Sequence, residues 1–150
     1  MGIAKSNKGL CRVYFPEDAP FDSALIRDFP DFLFVKDDTS FTDIKKQIEE
    51  YFSGKRTSFE LELDLQCPPF YKKALKEVNK IPFGKTVSYR DIAERAGNSK
   101  AVRATGSANA NNPLPIVIPC HRILNTGGGL GGYGGNLERK VYLLELEGSI

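Results

Sequence analysis

Apolar positions along this 150-residue chain change their period several times, and each change predicts a new element. Leu10, Val13, Tyr14 and Phe15 follow a Lys8-Gly9 turn, which predicts a short strand or hairpin over residues 3–15. Glu17 to Asp31 mixes Pro and Asp with scattered Phe21, Leu25 and Ile26, and reads as a turn with a short helix. Phe32-Leu33-Phe34-Val35 is a compact apolar run stopped by Asp37-Asp38, and predicts a strand. Ile44, Ile48, Tyr51 and Phe52 then fall at i, i+4, i+7 and i+8, the stripe of a helix over Thr42–Phe52. Thr42 or Ser40 can cap its start, and Gly54 suits the position just past its end. Phe59, Leu61, Leu63 and Leu65 alternate with Glu60, Glu62 and Asp64, the period of an edge or half-buried strand.

Cys67-Pro68-Pro69 forces extended backbone and reads as a linker. Beyond it, Phe70, Leu75, Val78 and Ile81 line a helix that ends before Pro82-Phe83-Gly84. Ser88 and Asp91 fit a capping box opening a helix with Ile92, Ala93 and Ala96 on its apolar face and Gly97 at its close. Ser99 caps a second helix, about Lys100 to Asn109, so that Gly97-Asn98-Ser99 joins the pair in the form of a helix-turn-helix. That second helix is built of small residues, with Lys100 and Arg103 its long cations. Asn112-Pro113-Leu114-Pro115 is a turn that delivers an Ile116–Ile118 strand into Pro119. The glycine-rich stretch from Gly127 to Gly135 excludes regular structure, and no Lys-Ser/Thr follows it as in a phosphate-binding loop. Leu137 to Gly148 closes the chain as a helix, with Leu137, Val141, Leu144 and Glu147 near one face.

Charge divides the same way. Residues 1–66 carry a net charge of −4 and residues 67–150 a net charge of +6, within a total of +2. Split signs suggest two modules, the basic one meeting something anionic. The fold expected is an α/β two-module protein: a small N-terminal α/β sheet module over 1–66, then a mainly helical C-terminal domain over 67–150 with the helix-turn-helix. No apolar run reaches 18 residues, so no membrane span is expected. The first ten residues lack the apolar core of a secretory signal. Three cysteines make no disulfide framework, and one histidine with no CxxC argues against an ordinary zinc site.

Chemistry concentrates in Pro119-Cys120-His121-Arg122, where the chain's only histidine follows one of its three cysteines. A free thiol is only about 3% thiolate at neutral pH, and a neighbouring imidazole can take its proton. Consecutive side chains on extended backbone point apart, so the pairing needs a turn after Pro119 or a water relay. The alternative is a buried cysteine packed as a small hydrophobe beside a structural histidine.

With Asn112-Pro113 before it and Gly132-Tyr133 after it, this segment resembles the active site of O6-alkylguanine-DNA alkyltransferases, a likeness running from about Phe70 to Gly148. The resemblance implies DNA repair by direct reversal, in which an alkyl group moves from guanine O6 in double-stranded DNA onto Cys120, once and irreversibly. It implies that His121, oriented by Glu147, takes the thiol proton through a water, and that the Tyr89 hydroxyl supports departure of guanine. It places the second helix in the minor groove, with Arg103 standing in for the flipped-out base. It also implies that Tyr133 and the glycine loop wall the alkylguanine pocket. Ser107, Asn109 and Gly134 join Arg103 and Tyr133 as residues expected at substrate and DNA, while Asn112 and Arg122 brace the active turn. Gly134 stands where some relatives have Ser and Asn136 where many have Gly, which bears on pocket size. No cofactor and no metal are implied, and the protein is expected to be a monomer of the cytoplasm, or of the nucleus in a eukaryote. Two other classes compete. A lesion-binding relative without chemistry would lack the cysteine, and a cysteine hydrolase would need an oxyanion hole that the sequence does not identify.

Overall fold

The computed structural model describes residues 1–134 and 136–150; Gly135, part of the expected glycine loop, lies outside the described residues. The first module opens with an antiparallel hairpin, β1 (Gly2–Ser6) and β2 (Gly9–Tyr14), in register from Gly2 opposite Tyr14 to Ser6 opposite Gly9. Gly9 is required there. Its φ is +149°, and a Cβ would lie 2.5 Å from the Glu62 carbonyl oxygen, so only glycine lets the 59–65 segment pass so close. Helix α1 (Phe21–Asp28) is the short helix expected between Glu17 and Asp31, and α2 (Thr42–Phe52) the one its apolar stripe predicts; Ala24 and Leu25 of the first pack with Tyr14, and Ile44 and Ile48 of the second with Leu10 and Val13.

Three expectations in this module fail, each for a local reason. Phe32 to Val35 forms no strand: Leu33 is 100% and Val35 87% exposed, and the aromatic rings instead meet Phe29 edge-on, at 6.1 Å for Phe32 and 6.3 Å for Phe34. Neither Ser40 nor Thr42 caps α2. Asp37 Oδ1 accepts from the backbone of Thr39 and Ser40 and starts a 3-10 turn over Thr39–Phe41 that runs straight into the helix. Residues 59–65 stay extended but join β2 through one bridge, Leu10 with Leu63. The ladder stops because the Gln47 side chain takes both backbone groups of Glu60, at 2.9 and 3.1 Å.

In the second module, α3 (Pro69–Val78) begins with Pro68 as N-cap and Pro69 as its first helical residue, where a missing N–H costs nothing. Helices α4 (Tyr89–Arg95) and α5 (Val102–Ala110) follow, joined by a turn through Gly97. The capping box on α4 forms: Ser88 Oγ accepts from Asp91 N at 3.1 Å, and Asp91 Oδ2 accepts from Ser88 N at 2.8 Å. Ser99 does not cap α5. Ala101 occupies the N-cap, and it is Asn98 that accepts the Lys100 N–H.

Ile116 to Ile118 is a turn rather than a strand. Ile118 N–H bonds back to Leu114 O at 2.8 Å, and Ile116 takes φ +74°. A β-branched residue in that region costs on the order of 1–3 kcal/mol. Ile116, Val117 and Ile118 are all buried, so core contacts hold the strained turn in place. It feeds a 3-10 turn over Cys120–Arg122, then β4 (Ile123–Leu124), which pairs in parallel with β3 (Val87–Ser88). That short pairing sets Tyr89, at the head of α4, beside the Cys120 turn.

Helix α6 (Leu137–Leu146) starts at Asn136, whose Oδ1 accepts the Arg139 N–H at 2.9 Å. Its buried face is Lys140, Leu143, Leu144 and Glu147, and Leu137, expected on that face, is 47% exposed in the first turn. One apolar cluster runs through both modules, from Leu10, Ile44 and Ile48 to Leu75, Ile92, Leu114 and Ile123, each worth about 1.5–3 kcal/mol when fully buried. Among the described residues no helix is long and apolar enough to cross a membrane.

Candidate active site

Glu147 is the centre of the site. It lies at the C-cap of α6 with its carboxylate buried, and five hydrogen bonds reach it. Its Oε1 lies 2.8 Å from His121 Nε2 and accepts from Arg122 Nη2 at 2.8 Å and the Tyr51 hydroxyl at 2.7 Å. Its Oε2 accepts from Arg122 Nε at 2.8 Å and from the Gly84 N–H at 3.2 Å. Burial alone pushes this carboxyl upward, but His121, Arg122 and Tyr51 outweigh it and hold it well below the usual carboxylate range. Glu147 is therefore a fixed anion that does not itself take up a proton.

Because Glu147 accepts at Nε2, the proton of the neutral imidazole sits there and Nδ1 carries the lone pair. Nδ1 is buried and has no hydrogen-bond partner among the described residues. Burial pushes the His121 pKa down more strongly than Glu147 pulls it up, and the Arg122 and Lys140 cations push the same way as burial. The imidazole is neutral at pH 7, a base with a free lone pair.

Cys120 is 3% exposed on the 3-10 turn. The turn after Pro119 forms, and thiol and imidazole make no direct hydrogen bond among the described residues. Burial raises the thiol pKa, opposed by Asn112, Tyr133, the turn's own backbone and the Lys140 cation, so the resting side chain is a protonated thiol. The carbonyls around it are tied down. Asn109 Nδ2 donates to Cys120 O at 3.2 Å, Asn112 Nδ2 to Ile118 O at 2.8 Å, and Arg122 Nη1 to Ile81 O.

Two tyrosines flank the thiol. The Tyr133 hydroxyl is buried beside Cys120 without an aligned partner among the described residues, and burial pushes its pKa far up. The Tyr89 hydroxyl donates to Gly132 O at 3.2 Å, and burial raises its pKa too, so both phenols stay protonated donors. The glycine loop folds down on Tyr89. At Gly131, with φ +65°, a Cβ would lie 3.2 Å from the Tyr89 ring edge and hydroxyl. Lys140 pins the base of the loop by donating its buried amine to Ile123 O at 2.6 Å and to Leu130 O, and burial draws its pKa down to about 8.

The expected residues separate into two sets. Cys120, His121, Glu147, Tyr89, Tyr133, Asn112, Arg122 and Asn109 converge on the buried turn. Asn109 was expected at substrate and DNA; it faces inward, with Oδ1 buried and unpartnered among the described residues. Arg103 is exposed on the outer face of α5, with Ser107 one turn on, its Oγ donating to Arg103 O at 3.2 Å. Gly134 is exposed at φ +49°, where a Cβ would come no nearer than 3.9 Å to Ala110 O. Sequence reasoning missed Tyr51 and Lys140. Tyr51 sits on the apolar stripe of α2, where nothing local announces a partner 96 residues away. Lys140 was hidden by its type, since lysine is rarely fully buried. Its i, i+3, i+4 spacing with Leu143 and Leu144 was the available signal. Among the described residues no three His, Cys, Asp or Glu side chains group to hold a metal.

Comparison with known proteins gives matches over both modules. Residues 1–65 match the model of the 6-O-methylguanine DNA methyltransferase ribonuclease-like domain, and residues 69–149 that of the DNA binding domain of the same family. A methylated-DNA–protein-cysteine methyltransferase of Mycolicibacterium paratuberculosis is 45% identical over 108 residues, which span 72% of this chain and 66% of that protein, just under two thirds of its length. One from Methanosarcina mazei is 42% identical over 97% of this chain and 88% of its own. The crystal structure of Mycobacterium tuberculosis OGT in complex with DNA superposes with a TM-score of 0.84 at 36% identity, covering 98% of this chain and 85% of that one. With both family models matched in order along its length, this chain belongs to the 6-O-methylguanine DNA methyltransferase family.

Proposed function

We propose that this protein repairs DNA by moving the alkyl group of O6-alkylguanine onto Cys120, one group per molecule. The observation that carries it is the thiol of Cys120 on a braced turn beside a neutral His121 whose Nε2 is held by Glu147 and whose Nδ1 has no partner among the described residues. The thiol proton passes through a water to His121 Nδ1, and the Glu147 anion stabilises the imidazolium that forms. The thiolate bonds to the alkyl carbon as the bond from that carbon to O6 breaks, its electron pair moving into guanine. The Tyr89 hydroxyl, with Tyr133 beside the sulfur, is the donor toward that developing charge, and the thiol proton ends on the departing base. A thioether has no leaving group to regenerate the thiol, so the protein is spent after one turnover.

A stacked guanine cannot reach a buried thiol, so the base must flip out. Helices α4 and α5 act as a helix-turn-helix for this step, α5 entering the minor groove with Arg103 filling the vacated stack and Ser107 and Gly134 meeting the strand. Support comes from the outer face of α5: a Cβ added at Gly106 would meet nothing within 4 Å, so the protein's own core does not demand the small residue. The two modules meet at 66/67, within the stretch between the two family matches, and the protein acts as a monomer in the cytoplasm, or in the nucleus in a eukaryote. Incubation with duplex DNA carrying a radiolabelled O6-methylguanine tests the chemistry. Label should pass to wild-type protein and not to Cys120→Ser; transfer to the serine variant at a near wild-type rate would remove Cys120 from its role.

A further inference from the structure

The acidic first module has no assigned part in the chemistry, yet it sends one polar atom into the active site. Tyr51, from α2, is 0% exposed, and its ring is fixed edge-on or tilted against Phe52, Phe59 and Phe83 at 5.3, 5.5 and 6.1 Å. Its hydroxyl ends 2.7 Å from Glu147 Oε1, the same oxygen that holds His121 Nε2. A hydroxyl kept in an aromatic core solely for packing would leave a polar group to satisfy, and phenylalanine would fill the same space. We propose that Tyr51 is a positioning residue through which the first module sets the basicity of His121.

The physical basis is competition for one oxygen. Oε1 already accepts from Arg122 and His121, and each further donor disperses its charge and weakens its hold on the others. That weaker hold disfavours the imidazolium. The charged and titratable groups facing His121 are Glu147 on one side, Arg122 and Lys140 as cations, and Cys120 as its chain neighbour; Tyr51 acts on it through Glu147. With Tyr51 in place, His121 is neutral until the thiol delivers its proton, so the Cys120–His121 pair is not prematurely ionised. Docking of α2 thus becomes a condition for a correctly tuned base, which gives the first module a part in the alkyl transfer proposed above, on which this inference rests.

His121 is the only histidine in the chain, so its ring signals in an NMR titration need no assignment. In Tyr51→Phe the ring stays and only the hydroxyl goes. The His121 pKa should rise relative to wild type, each unit of rise being a tenfold change in the imidazolium-to-imidazole ratio at a given pH. The acid limb of the pH–rate profile for methyl transfer from duplex O6-methylguanine DNA should move to higher pH by the same amount. Site-specific Tyr51→3-fluorotyrosine, a stronger donor, should move the His121 pKa the opposite way, and serves also if the phenylalanine variant does not fold. An unchanged or lowered His121 pKa in folded Tyr51→Phe, or equal values in wild type and the fluorotyrosine protein, overturns the inference. The titration needs no DNA, so a wild-type protein that fails to take up methyl would refute the alkyl transfer while leaving the tuning of His121 decided by the NMR data.

Discussion

Replacing Glu147 by Gln isolates the carboxylate that orders the site. Arg122 donates to both oxygens, from Nε to Oε2 and from Nη2 to Oε1, each at 2.8 Å. Whichever way the amide turns, its NH2 faces an arginine N–H, and a guanidinium with a 6% exposed side chain loses its counter-charge. Removing one partner of a buried pair costs about 3–5 kcal/mol. At about 2–4 °C per kcal/mol for a chain of this size, Tm should fall by about 6–20 °C at pH 7. The loss should also depend on pH in a defined direction. The folded-state pKa of Glu147 is depressed, so its stabilisation is fully present above the unfolded carboxyl value of about 4.3 and fades as pH falls below it toward the folded value. The gap in Tm between wild type and Glu147→Gln, followed by circular dichroism, should therefore narrow on acidification below about pH 4. A gap at pH 7 under about 2 °C, less than about 1 kcal/mol, or one that stays constant on acidification, would show that the five hydrogen bonds do not act on stability as described.

Arg103→Ala should leave the rate with free O6-alkylguanine unchanged and slow the reaction with the same lesion in duplex DNA, about tenfold for each 1.4 kcal/mol of lost flipping support. A mismatch opposite the lesion should restore part of that rate, and equal losses on base and duplex would assign Arg103 to the fold instead. DNA affinity measured across a salt series should fall with a log–log slope of about −0.9 for each phosphate contacted, and a flat response would exclude a phosphate-tracking surface. Ser88→Ala removes the capping box of α4 and should cost about 1 kcal/mol, or about 2–4 °C in Tm; an unchanged Tm would mean that solvent replaces the cap.

What the sequence made legible was whatever a short window specifies. The Ser88–Asp91 box, the α2 stripe and the proline start of α3 are local devices with local consequences, and all are present. Short apolar runs were the failures. Phe32–Val35 and Ile116–Ile118 look alike as sequences, but the first is exposed and the second is buried in a strained turn, because neighbours far along the chain decide between them. The alternation over 59–65 was real as extended backbone, and the Gln47 side chain ended its pairing. At the site, Cys120 and His121 stood out by rarity and adjacency, whereas the contact of Glu147 with His121 bridges 26 residues and entered through family resemblance alone. Tyr51 and Lys140 escaped because each looks like its neighbours: one an aromatic on an apolar stripe, the other a lysine on a charged helix.

The central claim is that the methyl group ends on Cys120 and stays there. Protein mixed with excess duplex DNA containing O6-methylguanine should gain the mass of one methylene per molecule and no more, with peptide mapping placing it on Cys120 rather than Cys11 or Cys67. The DNA should return unmodified guanine in equal amount. Repeated turnover with unmodified protein, or a gain that maps to another residue, would contradict the account.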